Sequence, residues 1–125
     1  MSFKKLSNRL ALAAEFTTDG KIIADIGTDH GSLPIFLVGS GKCPSAVAAD
    51  LRKGPLESAK SNIEAAGLSD KIVTRLSDGL CGIGPDEFDE AVMAGMGGIL
   101  ICGILENCPY RNDKAFVLQP MSDPD

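Results

Sequence analysis

The chain has no tryptophan, one tyrosine and one histidine, and its other aromatics are five phenylalanines. A core built from it is therefore aliphatic, drawn from a hydrophobic content of 44%. With His30 as the sole histidine, a zinc site lacks support, and no metal is expected. The four cysteines (Cys43, Cys81, Cys102, Cys108) form no C-x-x-C pair. They read as reduced, mostly buried thiols of a cytoplasmic protein. No apolar run reaches the length that spans a bilayer, and Met1 to Phe16 carries polar and charged residues throughout, unlike a signal peptide, so no membrane partner is expected. Positive charge is also scarce: the net charge is −5, which disfavours a self-sufficient nucleic-acid binder. The local clusters Lys4, Lys5, Arg9 and Arg52, Lys53 read as solvated faces more readily than as phosphate sites. There is no internal repeat and no low-complexity segment, and 125 residues allow one domain.

What is present is organised around Ile22 to Pro34. An apolar run, Ile22 to Ile26, is interrupted only by Asp25, turns through Gly27 and Gly31, and resumes after Pro34 as Ile35-Phe36-Leu37-Val38. Proline is tolerated in the first turn of a helix, where its missing N–H has no partner. The stretch reads as buried strand, glycine loop, helix, the junction at which an open α/β sheet holds a nucleotide-like ligand. A dinucleotide loop needs Gly-x-Gly-x-x-Gly so that the backbone approaches the pyrophosphate. Here Asp29 stands two residues after Gly27. A carboxylate about 4 Å from a phosphate oxygen is repelled by roughly 4 kcal/mol at an effective dielectric near 20. Asp25 and Asp29 therefore disfavour pyrophosphate and suit a ligand carrying an ammonium or a sulfonium. S-adenosylmethionine carries both. The alternative is that the two aspartates only cap the next helix or bond loop amides.

Taken in order, Lys4 to Phe16 predicts a helix with Leu6, Leu10, Ala13 and Ala14 on one face, capped by Ser2 or Ser7. Strand one is Lys21 to Ile26 and the first crossover helix Leu33 to Val38. Ala46 to Ala49 is strand two, with Asp50 at its end, 25 residues after Asp25. A carboxylate there can accept from both hydroxyls of a ribose; it is otherwise a turn aspartate. A helix from Pro55 to about Ala66 follows, with Gly67 placed to end it. Strand three, Lys71 to Leu76, leads to Asp78-Gly79, either an adenine-facing acceptor or an ordinary turn. Gly82 to Phe88 is a loop and Glu90 to Ala94 strand four. Ala94-Gly95-Met96-Gly97-Gly98 then implies close backbone approach, to a ligand or to a packed helix. Ile99 to Leu105 is helical, Asn107 to Asp113 a loop, Ala115 to Leu118 strand five, and Met121 to Asp125 a disordered tail. Five strands alternating with helices, after an N-terminal helix, predict a Rossmann-like, doubly wound, mostly parallel sheet of the α/β class.

Asp25-Ile-Gly27-Thr-Asp29, Asp50 and Asp78-Gly79 resemble the binding signatures of class I S-adenosylmethionine-dependent methyltransferases. Adding Leu6-Ser7-x-Arg9-Leu10, Asp-His at 29–30, Leu33-Pro34, Gly54-Pro55, Ala94-Gly-Met-Gly-Gly98 and Leu118-Gln-Pro120, the chain is similar to the tRNA (adenine-22-N1)-methyltransferase family, TrmK, over about Leu6 to Pro120. The resemblance implies an S-adenosylmethionine-binding domain over residues 1–120 and methylation of N1 of an adenine in tRNA. It implies cofactor binding by Asp25, Gly27, Asp29, Asp50, Asp78, Gly79 and Gly95. It places Met96, Gly97 and Gly98 near the methyl group and target base, with Asp29, ahead of His30, as the candidate for handling the substrate. Relative to that class the chain lacks the last two strands and the helical extension linked to RNA binding. An open strand-five edge is then expected to invite self-association. A small-molecule methyltransferase and a cofactor-binding fragment without catalysis are the rival readings; a nicotinamide-dependent oxidoreductase is disfavoured by Asp29.

Overall fold

The computed structural model describes residues 6–108 and 114–121. In chain order the elements are α1 (Asn8–Phe16), β1 (Ile23–Ile26), α2 (Ser32–Gly39), β2 (Ala46–Asp50), α3 (Lys53–Ala65), β3 (Ile72–Leu76), a 3-10 turn (Pro85–Glu87), β4 (Glu90–Gly97), α4 (Gly98–Glu106) and β5 (Ala115–Met121). The five strands form one parallel sheet in the order β3-β2-β1-β4-β5. The predicted Rossmann-like fold is the observed one.

β1 lies in the middle and is buried along its whole length, as is β2. Such strands are covered on both faces, which is why they read as near-continuous apolar runs. Side-chain alternation divides the core in two. Ile23, Ala46, Ala48 and Val92 face α1, α2 and α3 with Ala13, Leu37 and Ile63. Ala24, Ile26, Val47, Ala49, Ala91 and Met93 face α4 and the 80–88 segment with Ile101, Leu80 and Phe88. The small residues of β2 let the covering layers come close. Arg75 on β3 grips the 3-10 turn as a fork, Nη1 to Glu87 Oε2 at 2.9 Å and Nη2 to Oε1 at 2.7 Å. That contact, with the Gly84 N–H, lowers the Glu87 carboxyl to about 2.

Several boundaries differ from the sequence reading. Ser7 is the cap of α1, its Oγ accepting from the Leu10 N–H at 3.3 Å; Ser2, Lys4 and Lys5 lie outside the described residues. α2 and α3 start one and two residues before their predicted positions, and each accommodates its proline as the third helical residue, where a missing N–H costs nothing. β4 does not stop at Ala94. β5 continues alongside it across a bulge, pairing Met96 with Pro120 and Gly97 with Met121. Gly95 absorbs the bulge at φ +75°. Met121 therefore ends a strand instead of opening a tail, and the rest of the expected tail, 122–125, lies outside the described residues, as does 109–113 of the expected loop. Of the four thiols, Cys43 and Cys108 are buried while Cys81 and Cys102 are exposed, so the expected burial holds for half of them.

Gly67 ends α3 as predicted. It sits at φ +73°, its N–H donates to the Glu64 carbonyl at 3.0 Å, and the Leu68 N–H donates to the Ile63 carbonyl at 3.1 Å. This pair of bonds is the Schellman arrangement. A Cβ at Gly67 would meet nothing within 4 Å, so only the left-handed backbone opposes a side chain there. Gly67→Ala is expected to lower the unfolding free energy by about 1 kcal/mol, measured by urea denaturation, with no change in the native circular dichroism spectrum.

Candidate functional site

β2 and β3 follow β1 in one direction across the sheet, whereas β4 returns to its other side. The reversal lies between β1 and β4, and in open α/β sheets ligands bind outside the carboxyl ends of the strands at such a point. A crevice of about 470 Å3 opens there. Four aspartates line it (Asp25, Asp29, Asp50, Asp78), against two arginines, Arg9 and Arg52. A second cavity of about 560 Å3 lies beside α4, lined mostly by apolar residues such as Leu80, Ile83 and Ile104, with Asp78, Asn107, Cys81 and Cys108 as its polar or reactive groups.

The glycines explain how the crevice stays open. Gly27 ends β1 at φ +74°, and a Cβ there would stand 2.6 Å from Met96 Cε. The β1 loop and the β4 bulge are thus in direct contact through a missing side chain. Gly95, also at positive φ, lies under Arg9: a Cβ would sit 2.9 Å from the guanidinium carbon. Gly31 packs on Ala59 of α3 and Gly79 on Ile104 of α4. In the 95–98 run no described helix packs on Gly97 or Gly98, and Gly95 meets the Arg9 side chain of α1.

The carboxylates differ in how they are held. Asp50, 3% exposed, accepts from the Asp29 N–H at 3.3 Å and the Arg52 N–H at 3.0 Å, with Arg52 Nε at 3.5 Å. It fastens the β1 loop to the end of β2. A carboxylate has about four acceptor positions, so two remain for a ligand. Asp25, 4% exposed, receives no hydrogen bond of good geometry from any described residue. Burial pushes its carboxyl up to about 7; the Thr28 hydroxyl opposes the shift and the Asp50 charge adds to it. Thr28 lies near enough to ease the charge, yet its buried Oγ1 meets hydrogen-bond geometry with no protein atom. By contrast the buried Glu90, at the opposite end of the sheet, is satisfied by the Thr18 N–H and hydroxyl at 2.8 and 3.0 Å. Among the described residues the Thr28 hydroxyl at the crevice and the Gln119 side-chain carbonyl on β5 are buried without a hydrogen-bond partner.

Asp29 is the one described non-glycine residue at positive φ, +58°, a conformation that aspartate tolerates better than most residues and that here aims it at the loop's outer rim. Its side chain is exposed, 3.9 Å from His30 Nε2. His30 Nδ1 lies 3.0 Å from Ser58 Oγ, and the His30 carbonyl accepts from Asn62 Nδ2 at 2.8 Å. The histidine is tied to α3, which leaves Asp29 the freer of the two.

Of the residues singled out from sequence, Asp25, Gly27, Asp29, His30, Asp50, Asp78, Gly79, Gly95 and Met96 line one crevice. Gly97 and Gly98 do not; they are exposed, with open space where a side chain would go. Arg9, Thr28, Ser77 and Ile104 also line it. Arg9 and Thr28 stand inside motifs that carry the resemblance without being singled out for the site, Ser77 stands beside Asp78, and Ile104 has only its place in the predicted helix.

A central strand, a glycine turn and an acidic edge at a sheet reversal define a Rossmann-like domain for a nucleoside-type ligand. Residues 6–125 match the methyltransferase domain family, and the chain belongs to it. It is 44% identical over 122 residues to a tRNA (adenine(22)-N(1))-methyltransferase of Bacillus subtilis (strain 168), covering 96% of this chain and 51% of that protein. It is also similar to Streptococcus pneumoniae Sp1610 in complex with S-adenosyl-L-methionine (TM-score 0.87, 42% identity, 93% of this chain and 56% of that one). A Streptococcus agalactiae protein of the NADB-Rossmann superfamily superimposes with a TM-score of 0.89 at 38% identity, over 94% of this chain and 54% of that one. The chain thus spans about half the length of the relatives it matches.

A carboxyl raised from its ordinary 3.8 to about 7 in the folded chain is protonated there while still ionised in the unfolded chain. The folded state then binds more protons between those values, so Asp25 contributes stability below about 4 that is lost as pH rises through about 7. Asp25→Asn is expected to flatten the decline in urea stability across that window. An unchanged slope would contradict the burial argument.

Proposed function

We propose that this chain is the cofactor-binding, methyl-transferring part of an S-adenosylmethionine-dependent methyltransferase acting on N1 of an adenine in tRNA, located in the cytoplasm. The observation that carries the reading is the pair of carboxylates, Asp25 and Asp29, flanking Gly27 at the crevice, where a pyrophosphate-binding loop would have none. The relatives' names support the substrate, and the S-adenosyl-L-methionine complex of a similar structure supports the cofactor.

The residues fit that group. Asp78, Asp50, Asp25 and Met96 follow strands in the order β3, β2, β1, β4, so they span three strand spacings, about 14 Å. Adenine belongs at Asp78, ribose at the free acceptor positions of Asp50, and the amino-acid end beside Asp25 and Gly27. The unsatisfied Asp25 carboxyl takes the ammonium, which draws it back to the ionised form. Bound S-adenosylmethionine supplies a methyl group already activated by the sulfonium. The protein's part is to position the adenine N1 in line with it. Met96, with Gly97 and Gly98 beyond the rim, floors the base, which must leave its stack to enter. Asp29, exposed and held in a strained conformation, faces the positive charge that develops on the adenine and accepts the exocyclic amine's proton.

Methyl transfer from labelled cofactor to bulk tRNA tests the reading; transfer to small acceptors alone favours the small-molecule alternative, and binding without transfer favours a cofactor-binding fragment. Asp29→Asn is expected to lower turnover by roughly 10²- to 10⁴-fold with cofactor affinity little changed; wild-type turnover in that variant sinks the role. Among the described residues β5 pairs only with β4, and its free edge supports association between copies of the chain. Light scattering at high concentration should then read a dimer or larger species, and a clean monomer would count against it.

A further inference from the structure

We infer that Gln119 is a specificity-determining residue that reads the N6/N7 edge of the target adenine and so leaves N1 open to the methyl group. The inference rests on the tRNA-adenine reading above. The side-chain carbonyl oxygen of Gln119 is buried and accepts no hydrogen bond from any described residue. Leaving a buried acceptor without a donor costs stability, which a donor arriving with a ligand recovers. The register puts this amide beside the crevice. Gln119 stands opposite Ala94, one strand spacing of about 4.8 Å away. Ala94, Gly95 and Met96 line the crevice, and the β5 partners of Ala94 and Met96 are Gln119 and Pro120. Side-chain alternation gives the face. Val117 and Ala94 both pack against the core cluster that includes Ala13 of α1, and Gln119 shares the face of Val117 two residues on. The amide therefore lies on the α1 side of the sheet, at its carboxyl end, next to the bulge at Gly95.

Methylation needs the N1 lone pair in line with the sulfonium methyl group, so the protein cannot recognise the base through N1 itself. The edge that remains free carries N7, an acceptor, and the exocyclic amine, a donor. A glutamine amide is their complement: its oxygen accepts from the amine and its NH2 donates to N7. The amine has two hydrogens. Asp29 takes the one that is lost, and Gln119 accepts from the other, on the N7 side. An oxygen without a donor suits this task, because turning the amide into the crevice breaks no hydrogen bond at that atom. The same pairing rejects guanine, which presents two acceptors, O6 and N7, along that edge. This gives the Leu118-Gln-Pro120 segment a role that its strand pattern does not announce.

The test is methyl transfer from labelled S-adenosylmethionine to tRNA carrying either adenosine or 7-deazaadenosine at the methylated position. The analogue keeps N1 and the amine but has a C–H in place of N7. Gln119→Ala should lower kcat/KM on adenosine by roughly 5- to 100-fold, the worth of a bidentate amide–adenine pair. The ratio of kcat/KM on adenosine to that on the analogue should be roughly 2- to 10-fold higher in the unaltered chain than in Gln119→Ala, the value of one neutral hydrogen bond. Comparing ratios cancels the analogue's own reactivity. Gln119→Glu keeps an acceptor but presents no donor to N7, so its ratio should fall below that of Gln119→Ala. Calorimetric affinity for S-adenosylmethionine should be unchanged in both variants. A merely structural glutamine predicts the same ratio in the unaltered chain and in Gln119→Ala; that result, or wild-type transfer in Gln119→Ala, would overturn the assignment. Failure of the unaltered chain to methylate the adenosine-bearing tRNA would instead overturn the reading on which the assignment rests.

Discussion

The site depends on β1, a four-residue strand buried on both faces that carries one carboxylate into the core and ends in a glycine. Its neighbours on the two sides are β2 and β4, so the loop after Ile26 has to pass between the ends of both. Gly27 and Thr28 both donate to the Ala49 carbonyl, at 2.9 and 2.8 Å, which pins the turn to β2. Gly27 also yields its side-chain volume to Met96 on the β4 side. A Cβ at Gly27 would displace the terminal methyl of Met96. Glycine is favoured here by its positive φ of +74°.

Around that pivot the charges are arranged at a cost. Buried ionised carboxylates are unfavourable unless they are paired and hydrogen-bonded. Asp50 meets that condition through two backbone N–H groups and Arg52. Asp25 does not, and its raised carboxyl is the consequence. Glu90 is satisfied at the amino edge of the sheet, whereas Asp25 and the Thr28 hydroxyl at the carboxyl edge have no hydrogen-bond partner of good geometry among the described residues.

Most of this was legible in the sequence, because the strands are short, buried and followed directly by the residues that matter. Asp25, Gly27, Asp50 and Asp78 sit within two residues of strand ends, where α/β sheets place ligands, and periodicity sufficed to locate those ends. The Schellman glycine after α3 was equally readable, since Gly67 follows the last apolar residue of a clear helical stripe. What escaped was long-range. The extension of β4 to Gly97 depends on pairing with β5 across a bulge, which no local pattern encodes. Arg9 lies on an exposed helix turn, and only the tertiary placement of α1 over Gly95 separates it from an ordinary solvated cation. Gly79 lines the crevice and also packs on Ile104, a contact that needs coordinates for α4.

The account makes one central claim, that the acidic strand ends select a cationic nucleoside ligand and reject a pyrophosphate. Calorimetric titration of the purified chain with S-adenosylmethionine and, in parallel, with NAD tests it most directly. The account predicts saturable binding of the first and none of the second. Binding of NAD, or of neither compound, would contradict it.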